Sequence, residues 1–269
     1  MLRNYVEDYH QNIKTGLSLN KIKELLEQKV LQYNQQDFLK DDPIKIPRLY
    51  SKKEDIEIAG FFAAIFAWGQ RKTIIKKSKD LMNRMGNTPY QFIMHHKSSD
   101  LKIMEGFVHR TYNDTDLLFT IHILRRIYSE LGSIQHFFSN GVEEGLHKLR
   151  QFFTTDPLFQ NRNGKHISSP KSGSACKRLN MFLRWMVRKD EQNVDFGLWS
   201  ILKPSDLFCP LDVHVGNTAR RLNLLHRKQN DWKSTEELTK ALIQFDPIDP
   251  IKYDFALFGL GLEEFNPTK

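Results

Sequence analysis

The chain has 269 residues, with 40 Lys and Arg against 32 Asp and Glu for a formal charge of +8, and 40% of its side chains are hydrophobic. That is enough apolar material to bury a core, and ten Pro and fourteen Gly are too few for a disordered or linker-dominated chain. The most apolar stretch, Ile56 to Trp68, contains Glu57 and falls well short of the roughly 20 residues a bilayer demands, so no membrane association is expected.

Helical periodicity dominates in chain order. Asn20 to Tyr33 repeats apolar residues at Ile22, Leu25, Leu26, Val30 and Tyr33, the spacing of one helix face. Ser51-Lys52-Lys53-Glu54 reads as a capping box opening an apolar helix that runs to about Trp68. A second helix follows from Arg71 to Met85 and stops at Gly86, and Thr88-Pro89 starts a short one with proline at its tolerated first position. Asn113 to Thr115 caps a long helix through Leu131, ended by Gly132, and Ser133 to Phe138 and Val142 to Phe153 read as two more. Thr154 to Ser172, with Pro157, Asn161, Asn163, Gly164 and Pro170, is a polar loop, the best internal boundary and a place for a small hairpin. Ala175 to Arg188 is helical, as is a segment after Pro210. Ser234-Thr235-Glu236-Glu237 reads as a second capping box for a helix to Phe245. Asp246 to Pro250 is a turn, and Tyr253 to Leu262 is the last helix. Strand signals are nearly absent and no repeat is found, so the expected class is all-α with about ten helices.

The N-terminal MLRNYVEDYH has charges where a signal peptide needs an apolar run, which points to a cytoplasmic location. Cys176 and Cys209 form no CxxC and read as two buried thiols rather than a disulfide or cluster site, and the histidines, among them His95, His96 and His214, suggest no metal-ligand set. No cofactor is expected.

The positive charge is unevenly placed. Arg71 to Lys79, Lys165 to Lys189 and Val213 to Asn230 contain no acid at all and together hold sixteen of the 40 basic residues, leaving the remainder of the chain net acidic. Each window is explicable as a solvated helix face. If the three meet in space, they form a positive face suited to the phosphates of a nucleic acid.

Within the third window, Cys209-Pro210-Leu211-Asp212-Val213-His214-Val215 is followed by Gly216-Asn217-Thr218-Ala219-Arg220-Arg221-Leu222. Asp212 sits at the start of a basic helix, where a carboxylate is stabilised by free N–H groups, so a capping role explains it on spacing alone. This block resembles the VDTHV-x-RV-x-x-RL segment of the helix-hairpin-helix (HhH-GPD) DNA glycosylases, the superfamily that includes endonuclease III and MutY. Ile58 to Gln70 is similar to that family's LIAxxLSAQ helix, Lys76 to Pro89 to the helix ending in NTP, and Tyr253 to Gly261 to FNQALMDLG, all in matching order. Arg178 to Arg188 with the PLDVHV block resembles more closely a bacterial family of unknown function that is grouped with the glycosylases by remote similarity.

The resemblance implies a two-lobed helical fold with a central cleft. Residues 50–155 would form one lobe, and 1–49 with 156–269 a second that carries the hairpin and the catalytic aspartate. It implies a base-excision repair glycosylase acting on damaged double-stranded DNA, with or without lyase activity; the alternative is a nucleic-acid-binding protein that keeps the fold without the chemistry. Asp212 matches the catalytic aspartate. Lys177, after Ser172-Gly173-Ser174, matches the lysine of bifunctional members, although the chain has a lone glycine in place of GxG. The 35-position spacing of Lys177 and Asp212 is more like that of the archaeal oxoguanine glycosylases than that of endonuclease III. A surface lysine in a basic helix is the other reading of Lys177. Gln70 matches the residue that fills the gap left by an extruded nucleotide, while Gly69-Gln70 is equally a turn between helices. Arg71, Lys72, Gly173, Arg178, Arg184, His214, Asn217, Arg220 and Arg221 are the further nucleic-acid contacts expected. Trp68 and Trp185 are candidate stacking surfaces for a flipped base, and Trp68, Trp185 and Trp199 are also ordinary core residues by default. The iron–sulfur loop of endonuclease III and MutY has no match, because no cysteine follows Cys209.

Overall fold

The computed structural model of the chain describes residues 18–265, so MLRNYVEDYH lies outside the described residues. Ten α-helices occur among them: α1 (Leu19–Tyr33), α2 (Lys53–Ile65), α3 (Arg71–Arg84), α4 (Pro89–His95), α5 (Asp114–Glu130), α6 (Val142–Thr154), α7 (Lys177–Val187), α8 (Val213–Arg221), α9 (Trp232–Ile243) and α10 (Tyr253–Phe265). Short 3-10 turns connect them, and the one sheet is a hairpin of two-residue strands, Val108–His109 pairing antiparallel with Tyr112–Asn113. The class is all-α. No described helix is long and apolar enough to cross a membrane.

Helix α2 is apolar on every side, and from Asp55 to Ile65 each of its residues is buried. A helix without a polar face must be enclosed. It packs against α7, and Gly60 makes the crossing close: a β-carbon there would stand 3.1 Å from Met186 and 3.5 Å from Phe182. Of its two buried carboxylates, Asp55 and Glu57, the second accepts hydrogen bonds from Tyr128 Oη (2.8 Å), Ser133 Oγ (2.7 Å), the Ile134 backbone N–H (2.8 Å) and Trp199 Nε1 (2.7 Å). Trp199 is therefore core. Helix α10 lies against α1 and α8, with Gly259 receiving the ring of Tyr33.

Several helix starts differ from the sequence reading. Helix α2 begins at Lys53 with no side-chain cap, so the Ser51–Glu54 box is not formed; Glu54 and Asp55 in the first turn still favour that terminus through the helix dipole. Helix α9 begins three residues early, because Asp231, whose carboxylate accepts from the Ser234 N–H, takes the capping position from Ser234. Helix α7 starts at Lys177 rather than Ala175, since Cys176 is left-handed, with φ of 50°. Ser133 to Phe138 contains a 3-10 turn, Ile134–Phe138, instead of an α-helix. The Asn113 cap is present as a full box with Asp116. The loop after α6 carries 3-10 turns at Asn163–Lys165 and Pro170–Ser172, and its only strand-like feature is an isolated bridge from Ser174 to Asp231.

Candidate functional site

The ends of four helices meet around a cleft of about 470 Å³ lined by, among others, Trp68, Arg71, Lys177, Asp212, His214 and Asp254. Each acid-free window supplies part of this lining: Arg71 from the first, Lys177, Arg178 and Arg184 from the second, His214 from the third. Lys177 is the first residue of α7 and Asp212 is the N-cap of α8. Their side chains face each other with Lys177 Nζ 3.9 Å from Asp212 Oδ2, and both are about a quarter exposed. Folding has joined two residues that are 35 positions apart in sequence.

Asp212 divides its two oxygens between structure and cleft. Oδ1 accepts the Val215 N–H at 3.0 Å, the helix cap expected from spacing, which leaves Oδ2 turned to the lysine. The backbone of Asp212 is held as well, because its carbonyl accepts from Asn230 Nδ2 at 3.2 Å, and Asn230 Oδ1 in turn accepts from Arg220 Nη2 at 2.6 Å. Arg220 also donates to the carbonyls of Arg227 (2.7 Å) and Gln229 (3.1 Å). It buttresses the loop behind Asp212 rather than facing a ligand. Gly216 allows this, since a β-carbon there would collide with Asn230 and Arg220 at 2.8 and 2.9 Å.

The other sequence-selected residues sort by burial. Gln70 caps the start of α3 without a side-chain bond and is exposed, as are Lys72, Gly173 and Asn217; Gly173 is left-handed, with φ of 72°. Arg71 lies over the ring of Phe258, 4.9 Å from its centroid. Trp68 lines the cleft, and the guanidinium of Arg110 stacks on it at 4.7 Å. Arg221, which donates to Thr218 Oγ1 at 3.2 Å, is outside the cleft lining. Two expectations need correction, and a third is narrowed. Trp185 is completely buried and presents no face for stacking. Arg178 gives its guanidinium to the carbonyls of Ile65 (2.6 Å), Lys165 (3.3 Å) and His166 (3.4 Å), closing the C-terminus of α2. Arg184 is buried against Asp254 and Asp195, with its guanidinium 4.1 Å from the ring of Phe255. Periodicity could not separate these from surface cations, because arginine stems pack as apolar groups and the charge finds its partners only in three dimensions.

One cleft residue and one residue packed behind the cleft wall had no place in the sequence reading. Asp254, at the start of α10, pairs with Arg184, and burial raises its carboxyl to about 6 although Arg184 and Lys177 favour the ionised form. An acid among the apolar residues that open this helix is its visible signal. Arg110, at the tip of the two-stranded hairpin in the left-handed region with φ of 57°, reaches over Trp68 and Gly69; no sequence feature marks it. The two thiols lie away from this chemistry. Burial drives Cys176 up to about 11 and Cys209 well above the usual thiol range, so neither is poised as a nucleophile. Among the described residues no cluster of three His, Cys, Asp or Glu could hold a metal ion.

Fold and site together define a helical protein with a cleft of mixed charge in which an aspartate at a helix N-terminus meets a lysine. The chain belongs to the family described as protein of unknown function (DUF2400), whose pattern matches residues 42–263 and therefore contains the whole cleft. No curated protein and no solved structure shows significant similarity to it.

Proposed function

We propose that the chain is a DNA base-excision glycosylase with the two-lobed helix-hairpin-helix architecture, and that the cleft holds an extruded nucleotide of damaged duplex DNA. The observation that carries this reading is the 3.9 Å approach of Lys177 Nζ to Asp212 Oδ2 inside a cleft large enough for a base and edged by cations. Cleaving an N-glycosidic bond sends its electron pair to the base nitrogen and leaves positive charge on the sugar. A fixed carboxylate beside C1′ stabilises that charge as it grows. Asp212 Oδ2 is such a group, since capping already locks its other oxygen. Lys177, having passed its proton to Asp212, would attack C1′ as the base leaves; opening of the sugar C1′–O4′ bond would give the Schiff base, and loss of a C2′ proton with departure of the 3′ phosphate would nick the strand. Exposed Gln70, Lys72 and Asn217, with Arg71 at the rim, would contact the duplex.

Incubation with duplexes carrying oxidised or deaminated bases, followed by borohydride reduction, tests both residues. Base release by the wild type and a trapped covalent complex that disappears in Lys177→Ala are the expected results. Release that survives Lys177→Ala but not Asp212→Asn would assign water as the nucleophile. No release from any lesion would remove the enzymatic reading. A second reading, binding without cleavage, draws on the capping bond of Asp212, which accounts for that residue structurally. It predicts salt-dependent duplex binding that Asp212→Asn leaves unchanged.

A further inference from the structure

The cleft contains an ion pair that the glycosylase chemistry does not use. Arg184 and Asp254 are each more than nine-tenths buried, yet both line the cleft beside Lys177 and Asp212. Their pairing is through one atom of each: Arg184 Nη1 donates to Asp254 Oδ2, and Arg184 Nε donates to Asp195 Oδ1 at 3.3 Å. Among the described residues, Arg184 Nη2 and Asp254 Oδ1 make no hydrogen bond, and neither is among the sealed, unsatisfied polar atoms of the interior. A guanidinium and a carboxylate that could bond side by side through two pairs therefore leave a donor and an acceptor over. The guanidinium is also held in orientation by the Phe255 ring and by Asp195.

Such a leftover pair has a defined complement. It fits a planar group carrying an N–H next to a carbonyl oxygen or an unprotonated ring nitrogen, which is the Watson–Crick edge of a nucleobase. We propose that Asp254 and Arg184 read that edge, Oδ1 accepting from a base N–H and Nη2 donating to the neighbouring acceptor, so that the cleft takes bases whose pairing edge is intact and rejects those whose edge is alkylated. This rests on the nucleic-acid reading above and names the class of base it admits. The damage recognised then lies on another edge of the ring or consists of a change that preserves a donor beside an acceptor.

The full-length protein is titrated with fluorescent duplexes that resist cleavage through a 2′-fluorine on the target nucleotide. One pair carries uracil or N3-methyluracil, a second hypoxanthine or N1-methylhypoxanthine, and a fifth duplex carries a tetrahydrofuran abasic site. Methylation destroys pairing and eases extrusion, so any preference for the unmethylated base must come from the pocket. The wild type should favour the unmethylated member of at least one pair by about tenfold or more, the cost of unmaking hydrogen bonds to charged groups. In Asp254→Asn the amide oxygen is drawn to Arg184, which only donates, and the amide N–H₂ turns to the cleft as a donor. That variant should lose the preference while binding the abasic duplex as the wild type does, which also reports that it is folded. Equal wild-type affinity within both pairs, or a preference that persists in Asp254→Asn, overturns the base-edge assignment and leaves the proposed function standing. Failure of the wild type to bind any of the five duplexes overturns both.

Discussion

Asp254 is buried on folding, and its proton is held more tightly there than in the unfolded chain, where an aspartate titrates near ~4. With the native carboxyl raised to about 6 by burial, the folded state binds the extra proton between those values, so this residue's contribution to stability is greatest below the unfolded value and declines as pH rises toward 6. His166 has the opposite slope in the same window. Burial lowers its ring to about 4, so the unfolded chain protonates first and stability falls as the solution is acidified. A whole-protein pH profile mixes the two, and a variant separates them. The melting temperature of Asp254→Asn relative to wild type should rise between about pH 4.5 and pH 7, because the amide imitates the protonated acid and has no proton to lose. A difference that stays level across that range would contradict the raised value. At this scale Asp212 was legible in the sequence, since a short acidic side chain after Pro210 and before a periodic segment caps a helix. Lys177 and Gln70 were visible only through resemblance. The pairing of Arg184 with Asp254 is not visible in the sequence, because it is a contact made across 70 positions of chain.

At the level of elements, α2 organises the molecule. It is the helix whose residues are almost entirely enclosed, and Glu57 ties it to α5, to the turn at Ser133–Ile134 and to the loop bearing Trp199. Removing that carboxylate strands four donors in the interior at ~1–3 kcal/mol for each that stays unsatisfied. Glu57→Ala should therefore lower stability by at least ~3 kcal/mol, a large share of the 5–15 kcal/mol typical of a folded domain. Thermal denaturation checks this, and a shift of under about 2 °C would show that the site repacks or hydrates at little cost. The existence and order of the helices were readable from periodicity, which reports burial of one face. Their first residues were less so, since Ser51, Ser234 and Asp231 compete for the same free N–H groups and the winner depends on how the preceding loop enters. The hairpin at Val108–Asn113 was invisible, as two residues per strand are too few to establish an alternation.

For the whole molecule the question is what the surplus of positive charge does. The structure divides it by residue type. Within the acid-free windows Arg178, Arg188 and Arg220 are committed to carbonyls and carboxylates of the fold and Arg184 is paired through Nη1 and Nε, whereas Lys72, Lys76, Lys79, Lys165, Lys171, Lys189 and Lys228 are exposed. The sequence count of basic residues thus overstates the face offered to a polyanion, and the exposed lysines are the part that salt should screen. Duplex affinity should fall steeply with added salt, and Lys72→Ala, beside the cleft, should lessen the slope of log affinity on log salt by about one if it meets a phosphate. An unaltered slope would place the bound strand elsewhere. The proposed chemistry is tested most directly by the rate of base release in a single turnover. With protein in excess over a released lesion, Asp212→Asn should cut that rate by at least ~100-fold while abasic-duplex affinity is retained, the scale expected when a preorganised charge is withdrawn from a transition state. Release at the wild-type rate from Asp212→Asn would contradict it.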